Sequence, residues 1–160
     1  MTTEAAARRQ LGWGVRAVRV DEADLGMDIA LTTAGGLDLQ QVSGLDNLDQ
    51  CLRMAFTTAL GADVFNVDFG FDGVAVVARE PDPVLARERV RISVVQVLSR
   101  DRRVRQVLDL RLDPDRSDDA GGASPAERAH RWGRLDVEVA FEAVTGDQRV
   151  LGVLRTVDGA

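Results

Sequence analysis

One cysteine, one histidine and no lysine set the first limits on this chain of 160 residues. With Cys51 alone no disulfide can close inside the chain, and a reducing compartment is the simpler expectation. Cys51 falls on the face of a helical pattern and is expected to pack in the core. His130 stands in a polar stretch with neither cysteine nor clustered carboxylates beside it. Zinc sites take three or four protein ligands that include His or Cys, so no metal site is expected. A polar loop also fails to hold a base rigidly beside a nucleophile, as serine–histidine hydrolysis requires. No stretch approaches the ~20 apolar residues of a membrane span, and no N-terminal segment couples basic residues to an apolar run. The expectation is a soluble protein with no membrane partner and no export signal of its own.

What is present is a globular composition. Hydrophobic residues make up 45% of the chain, enough for a core, and the length suits one domain that would bury roughly 70% of its unfolded surface. A net charge of −6 argues against a dedicated nucleic-acid binder, because phosphate neutralisation needs clustered positive charge. Every basic residue is arginine. GC-rich coding accounts for that most simply, although planar guanidinium forks also suit interfaces with carboxylates. Gly35, Gly36 and the other glycines form no phosphate-binding pattern ahead of a helix, so no cofactor is expected.

Periodicity gives an α+β domain, two helices packed on a mainly antiparallel sheet. Residues 1–26 read as an N-terminal arm: Met1 to Gln10 as a small-residue helix or frayed tail, Val15, Val18 and Val20 as a short strand or extended piece. Residues 27–160 form the domain. Met27, Ile29 and Leu31 alternate with polar or small neighbours, as in a half-buried strand, and the Gly35–Gly36 pair turns the chain into Leu37 and Leu39. Leu45, Leu48, Leu52, Ala55 and Phe56 mark one face of a helix capped by Asp46. Phe65, Val67 and Phe69 form a short strand or an ordered loop over that helix, and Gly73 to Ala78 an apolar strand. Asp82 before Pro83 starts a second helix that runs to about Ser99. Leu108 to Leu112, Leu135 to Phe141 and Val150 to Val157 are strands, the last two joined by a turn at Thr145 to Asp147. Residues 113–133 offer almost nothing to bury and are expected to be a mobile insertion.

The carboxylates Asp46, Asp49, Asp63, Asp68, Asp72, Glu80 and Asp82 are numerous enough for a glycosidase pair, but capping, turns and solvation account for them. One ordered set is more informative. Asn47, Leu48 and Gln50 on the first helix are followed by Thr58, Gly61, Phe69 and Gly70. In this order and spacing the chain resembles the gene-25-like, or baseplate W, sheath-initiator family of contractile phage tails, type VI secretion and extracellular injection particles. Val67 stands where many members have a proline. Members often carry Glu-Pro-Arg at the end of the second helix; here Asp101 and Arg103 match the acid and the base, and Arg102 replaces the proline.

The resemblance implies a structural baseplate wedge component that starts sheath assembly, made in the cytoplasm and then built into the particle. It implies no catalytic residues, with a cell-wall glycoside hydrolase (a lysozyme-like muramidase) as the alternative from another class. Its partners would be wedge subunits and first-ring sheath subunits, with spike or hub proteins as further neighbours. Asp101, Arg102 and Arg103 would face the wedge core. They are expected to matter for assembly and little for folding, since a helix-end charge is worth about 0.3–1 kcal/mol. Val150, Leu151, Gly152, Val153, Leu154 and Arg155 would form the sheath-facing edge, open to strand addition, unless residues 15–20 already pair with it.

Overall fold

Two helices and one sheet supply most of the apolar core of the computed structural model, which describes residues 4–19, 27–33, 35–80, 82–112 and 134–156. Helix α2 (Gly44–Thr57) buries Leu48, Leu52, Ala55 and Phe56 along one face. Helix α4 (Pro83–Arg100) buries Ala86, Val90, Val94, Val97 and Leu98 at the same spacing of three and four. Its β-branched residues lower helix propensity, but tertiary packing of this stripe decides the outcome. Asp82 caps α4 through one carboxylate oxygen, which accepts from the backbone N–H of Val84 (2.8 Å) and Leu85 (3.3 Å), with Pro83 in the first turn. Strands β7 (Val104–Leu112), β8 (Arg134–Ala143) and β9 (Gln148–Thr156) form an antiparallel sheet in that order. Val137, Val139, Phe141, Ala143 and Leu151 close the core from the sheet side.

The remaining described strands make three small ladders. Strand β1 (Trp13–Val15) pairs with β6 (Gln41–Ser43), β2 (Ala17–Arg19) with β3 (Met27–Ile29), and β4 (Leu31–Thr32) with β5 (Asp38–Leu39), all antiparallel. They meet at a cyclic junction. Arg16 N–H donates to the Gln40 carbonyl (2.8 Å), Gln40 N–H to Ala30 (2.9 Å), and Ala30 N–H to Arg16 (2.9 Å). Helix α1 (Glu4–Leu11) precedes them and ends in Leu11, which is fully buried in the core. Residues 13–19 therefore pair with β6 and β3, and not with β9.

Four readings change. Gly73–Arg79 is a short helix, α3, and not a strand; an apolar run of this length has no periodicity that separates the two. Helix α2 starts at Gly44 after Ser43, which places Asp46 inside the first turn and not at the cap. Met27, Ile29 and Leu31 were expected to be half-buried on one side, yet they stay 50%, 55% and 58% exposed. In β7 a register shift between Val107 and Asp109 breaks the even Leu108–Leu110–Leu112 face. Val107 joins Leu110 and Leu112 against the core, and Leu108 is left exposed. The expected insertion at 113–133, with His130, lies outside the described residues, as do Val20 and Val157.

The candidate docking cleft and the free sheet edge

The residues that carry the family pattern act first as ties between segments. Leu11 ends α1, and Gly12 after it turns left-handed (φ +81°), its N–H donating to the Arg8 carbonyl at 3.0 Å. The Leu11 carbonyl at this negative helix end accepts twice: from Asn47 Nδ2 (3.1 Å) and from Arg103 Nη1 (3.0 Å). Gln50 holds the next stretch of chain. Its Oε1 accepts from Ala17 N–H (2.9 Å) and its Nε2 donates to the Val15 carbonyl (2.8 Å). Leu48 is fully buried in the core.

Thr58, Gly61, Phe69 and Gly70 organise the loop that returns from α2. Thr58 Oγ1 donates to the Met54 carbonyl (2.8 Å), and its own carbonyl accepts from Phe71 N–H (2.9 Å). Gly61 N–H reaches the Phe69 carbonyl at 3.4 Å. Gly70 has φ +112°, and a Cβ there would sit 2.8 Å from the Thr58 and Ala59 backbone, so only glycine fits. Phe69 packs half-buried against the core, which makes this stretch the ordered loop and not the strand. Phe71 stacks edge-on against Phe56 with ring centroids 5.5 Å apart. A Cβ at Gly73 would run into the Phe71 ring. Neither Phe71 nor Gly73 was singled out from the sequence; the signal available was an aromatic two residues before a glycine. At its tip the loop exposes Val64, Val67 and almost the whole of Phe65 (97%).

Asp101 and Arg103 form a fork. Arg103 Nε donates to Asp101 Oδ1 at 2.9 Å and Nη2 to Oδ2 at 2.6 Å, and the backbone N–H of Arg103 also donates to Oδ1 at 2.9 Å. The side chains keep only 22% (Arg103) and 19% (Asp101) of their exposure. Burial works against the Asp101 charge, but the hydrogen bonds from Arg103 outweigh it and hold the carboxyl below its ordinary range. The hydrogen bond with Asp101 likewise raises Arg103, against burial and with help from the neighbouring Cys51. The pair expected to leave folding almost untouched is thus a half-buried tie between the end of α4 and the end of α1. Arg102 between them is exposed.

These ties border one open cleft of about 1030 Å³, lined by the end of α1, α2, residues 66–70 and the end of α4. Its walls include Met54, Phe69 and Val97, with Arg9, Arg100 and Arg102 among the charged residues. Arg100 also pins the loop, donating to the Asp68 carbonyl at 2.8 Å. Cys51 lines the cleft and is not fully buried. Asp68 and Asp101 are the acids of the cleft. No group of three or more His, Cys, Asp or Glu able to hold a metal occurs among the described residues, and no described helix is long and apolar enough to cross a membrane.

The sheet edge lies apart from this cleft in sequence. Strand β9 pairs with β8 from Glu142↔Gln148 to Arg134↔Thr156, and no other described strand pairs with it. Val150 is exposed and Leu151 is fully buried, so side chains alternate between solvent and core. For Val153, Leu154 and Arg155 only the backbone is described.

Comparison with known families gives no matching family profile, and no curated protein matches the sequence. A crystal structure from Geobacter sulfurreducens, provisionally named a tail lysozyme, has a similar fold. It aligns with a TM-score of 0.51 at 19% sequence identity, over 72% of this chain and 92% of its own. At that identity the likeness concerns the fold alone.

Proposed function

We propose that this protein is a structural component of a contractile-tail baseplate, a wedge subunit that positions the first ring of sheath. The observation that carries the proposal is the outer edge of β9, which no other described strand pairs in the three-stranded sheet, together with the ordered set of residues resembling the sheath-initiator family. An unpaired edge offers main-chain donors and acceptors to an incoming strand, which gives affinity, while alternating side chains fix register. The fold shared with a protein named for a tail supports the same direction.

The wedge would be received at the other site. Asp101 and Arg103 satisfy one another and Leu11, so their part is to hold the surface in shape. Arg9, Arg102 and the exposed Phe65 loop tip are left to meet the wedge subunits, beside the loop that Arg100 pins. Guanidinium groups around an apolar floor suit a partner helix that carries carboxylates beside an apolar stripe.

The name of the similar structure also raises glycoside hydrolysis. A general acid for that reaction needs a raised carboxyl pKa. Asp101, one of the two acids of the cleft, is held by Arg103 through both carboxylate oxygens, so it is not free to hand a proton to a leaving group. The test is twofold. A tagged chain expressed with its neighbouring genes should bring down wedge and sheath subunits, and purified protein should leave peptidoglycan intact. Turnover abolished by Asp68→Asn would replace this proposal with the hydrolase.

A further inference from the structure

No other described strand pairs with the outer edge of β9, but the edge is not bare. In an antiparallel ladder, pairs that exchange both main-chain bonds alternate with pairs that exchange none. The β8–β9 hairpin fixes the phase: Ala143 N–H donates to Asp147 O (2.8 Å) and Gly146 N–H to Ala143 O (2.9 Å). Counting from there, Phe141↔Arg149, Val139↔Leu151 and Val137↔Val153 exchange bonds, whereas Ala140↔Val150, Glu138↔Gly152 and Asp136↔Leu154 do not. The N–H and C=O groups of Val150, Gly152 and Leu154 therefore point away from β8. A second contact agrees with this phase, because the Gly152 carbonyl accepts from a side chain, Arg53 Nη1, at 3.1 Å. Arg53 is itself held by Asp49, with Nε 2.8 Å from Oδ2 one turn back on α2. Close by, Arg149 Nη2 lies 2.7 Å from Asp46 Oδ1 and fastens the start of β9 to the same helix.

We propose that Arg53 is a displaceable guard on the strand-addition edge. It covers the central outward acceptor of β9 until the N–H of an incoming strand takes its place. This rests on the edge being a receiving surface, and it adds which residue controls entry. The Arg53 side chain keeps 48% of its exposure and Asp49 keeps 24%, so the guanidinium can swing into water without losing its carboxylate. One side-chain bond is lost on displacement and main-chain bonds at Val150, Gly152 and Leu154 are gained. A strand that matches the full edge thus displaces the guard, and a fleeting contact at one residue does not. Natural sheets keep edges from pairing with themselves by placing charge beside them, and Arg53 does this from the neighbouring helix. The occupant it admits is an extended segment of a partner that presents a main-chain N–H opposite Gly152.

The test uses the full chain and its own edge as the probe. Sedimentation velocity over a concentration series would compare wild type, Arg53→Ala and Arg53→Met, which keeps the apolar stem without the donor, each with and without Val150→Pro. Proline at Val150 removes an outward donor and leaves the bonds to β8 intact. Loss of the guard should strengthen self-pairing about tenfold per guard, and so roughly a hundredfold for a pair that loses both, in each Arg53 variant, on the scale of one charged hydrogen bond at each half-exposed site, and Val150→Pro should abolish the gain. Equal association of wild type and both Arg53 variants would overturn the guard, and so would a gain that survives Val150→Pro. Failure of the edge as the sheath contact is a separate result: particles carrying Val150→Pro would then be normally sheathed whatever Arg53 does in the isolated chain.

Discussion

Arg103→Ala removes four contacts at once: three guanidinium bonds to the Asp101 carboxylate and the bond from Nη1 to the Leu11 carbonyl at 3.0 Å. A hydrogen bond to a charged group contributes about 1.5–3 kcal/mol, and stranding one member of a fully buried ion pair costs about 3–5 kcal/mol. Here Asp101 keeps 19% of its exposure and still accepts from the backbone N–H of residue 103, so the loss should be about 2–3 kcal/mol. For a chain of this size that lowers the melting temperature by roughly 5–10 °C. Arg103→Lys should recover only part of it, since an ammonium cannot reproduce the fork. The pH dependence adds a check on cause. The folded Asp101 pKa lies below the unfolded value, so the pair's contribution is fully present above about pH 4 and is lost as pH falls through the lower folded value. The gap between wild type and Arg103→Ala should be widest at neutral pH and should narrow on acidification. Urea denaturation at a series of pH values measures both. A neutral-pH difference below about 0.5 kcal/mol, the scale of an ordinary surface change, would refute the tie between α4 and α1.

Gly70→Ala should destabilise the fold by about 1–3 kcal/mol, because the positive φ and the 2.8 Å approach of the Ala59 backbone leave no room for a Cβ; urea denaturation reads this directly. Gln50→Ala should cost about 1–2 kcal/mol for two lost bonds and should speed hydrogen exchange at the Ala17 amide, whose acceptor is Gln50 Oε1.

Much of the architecture was legible because burial and capping act locally. The α2 stripe of Leu48, Leu52, Ala55 and Phe56 and the Asp82–Pro83 start of α4 follow from spacing and cap chemistry alone. The antiparallel β8–β9 hairpin follows from clean alternation around Thr145 to Asp147. What failed depends on partners distant in sequence. Seven residues at Gly73–Arg79 are too few to show a period, and what separates helix from strand there is the packing of Val76 against the core. The bulge in β7 is invisible until β8 is laid beside it. Met27, Ile29 and Leu31 alternate as a strand should, but alternation alone does not say whether this chain covers the apolar side. The site shows the same division. Asn47, Gln50, Gly70, Asp101 and Arg103 were recognisable as a set, yet that Asn47 and Arg103 share the Leu11 carbonyl requires the end of α1 to be in place. Arg53 gave no signal at all, since an arginine four residues after an aspartate reads as a solvated helix pair.

The register of β9 also selects the variant that tests the edge. Val153 exchanges its main-chain bonds with Val137 inside the sheet, so proline there would damage the monomer. Val150 points its N–H outward, where proline removes a donor that only an incoming strand would use. Electron microscopy of particles from cells carrying Val150→Pro, with the melting temperature of the purified variant as the control for folding, tests the placement role most directly. The account predicts wedges and tubes that assemble without sheath. Normally sheathed particles from a folded Val150→Pro variant would contradict it.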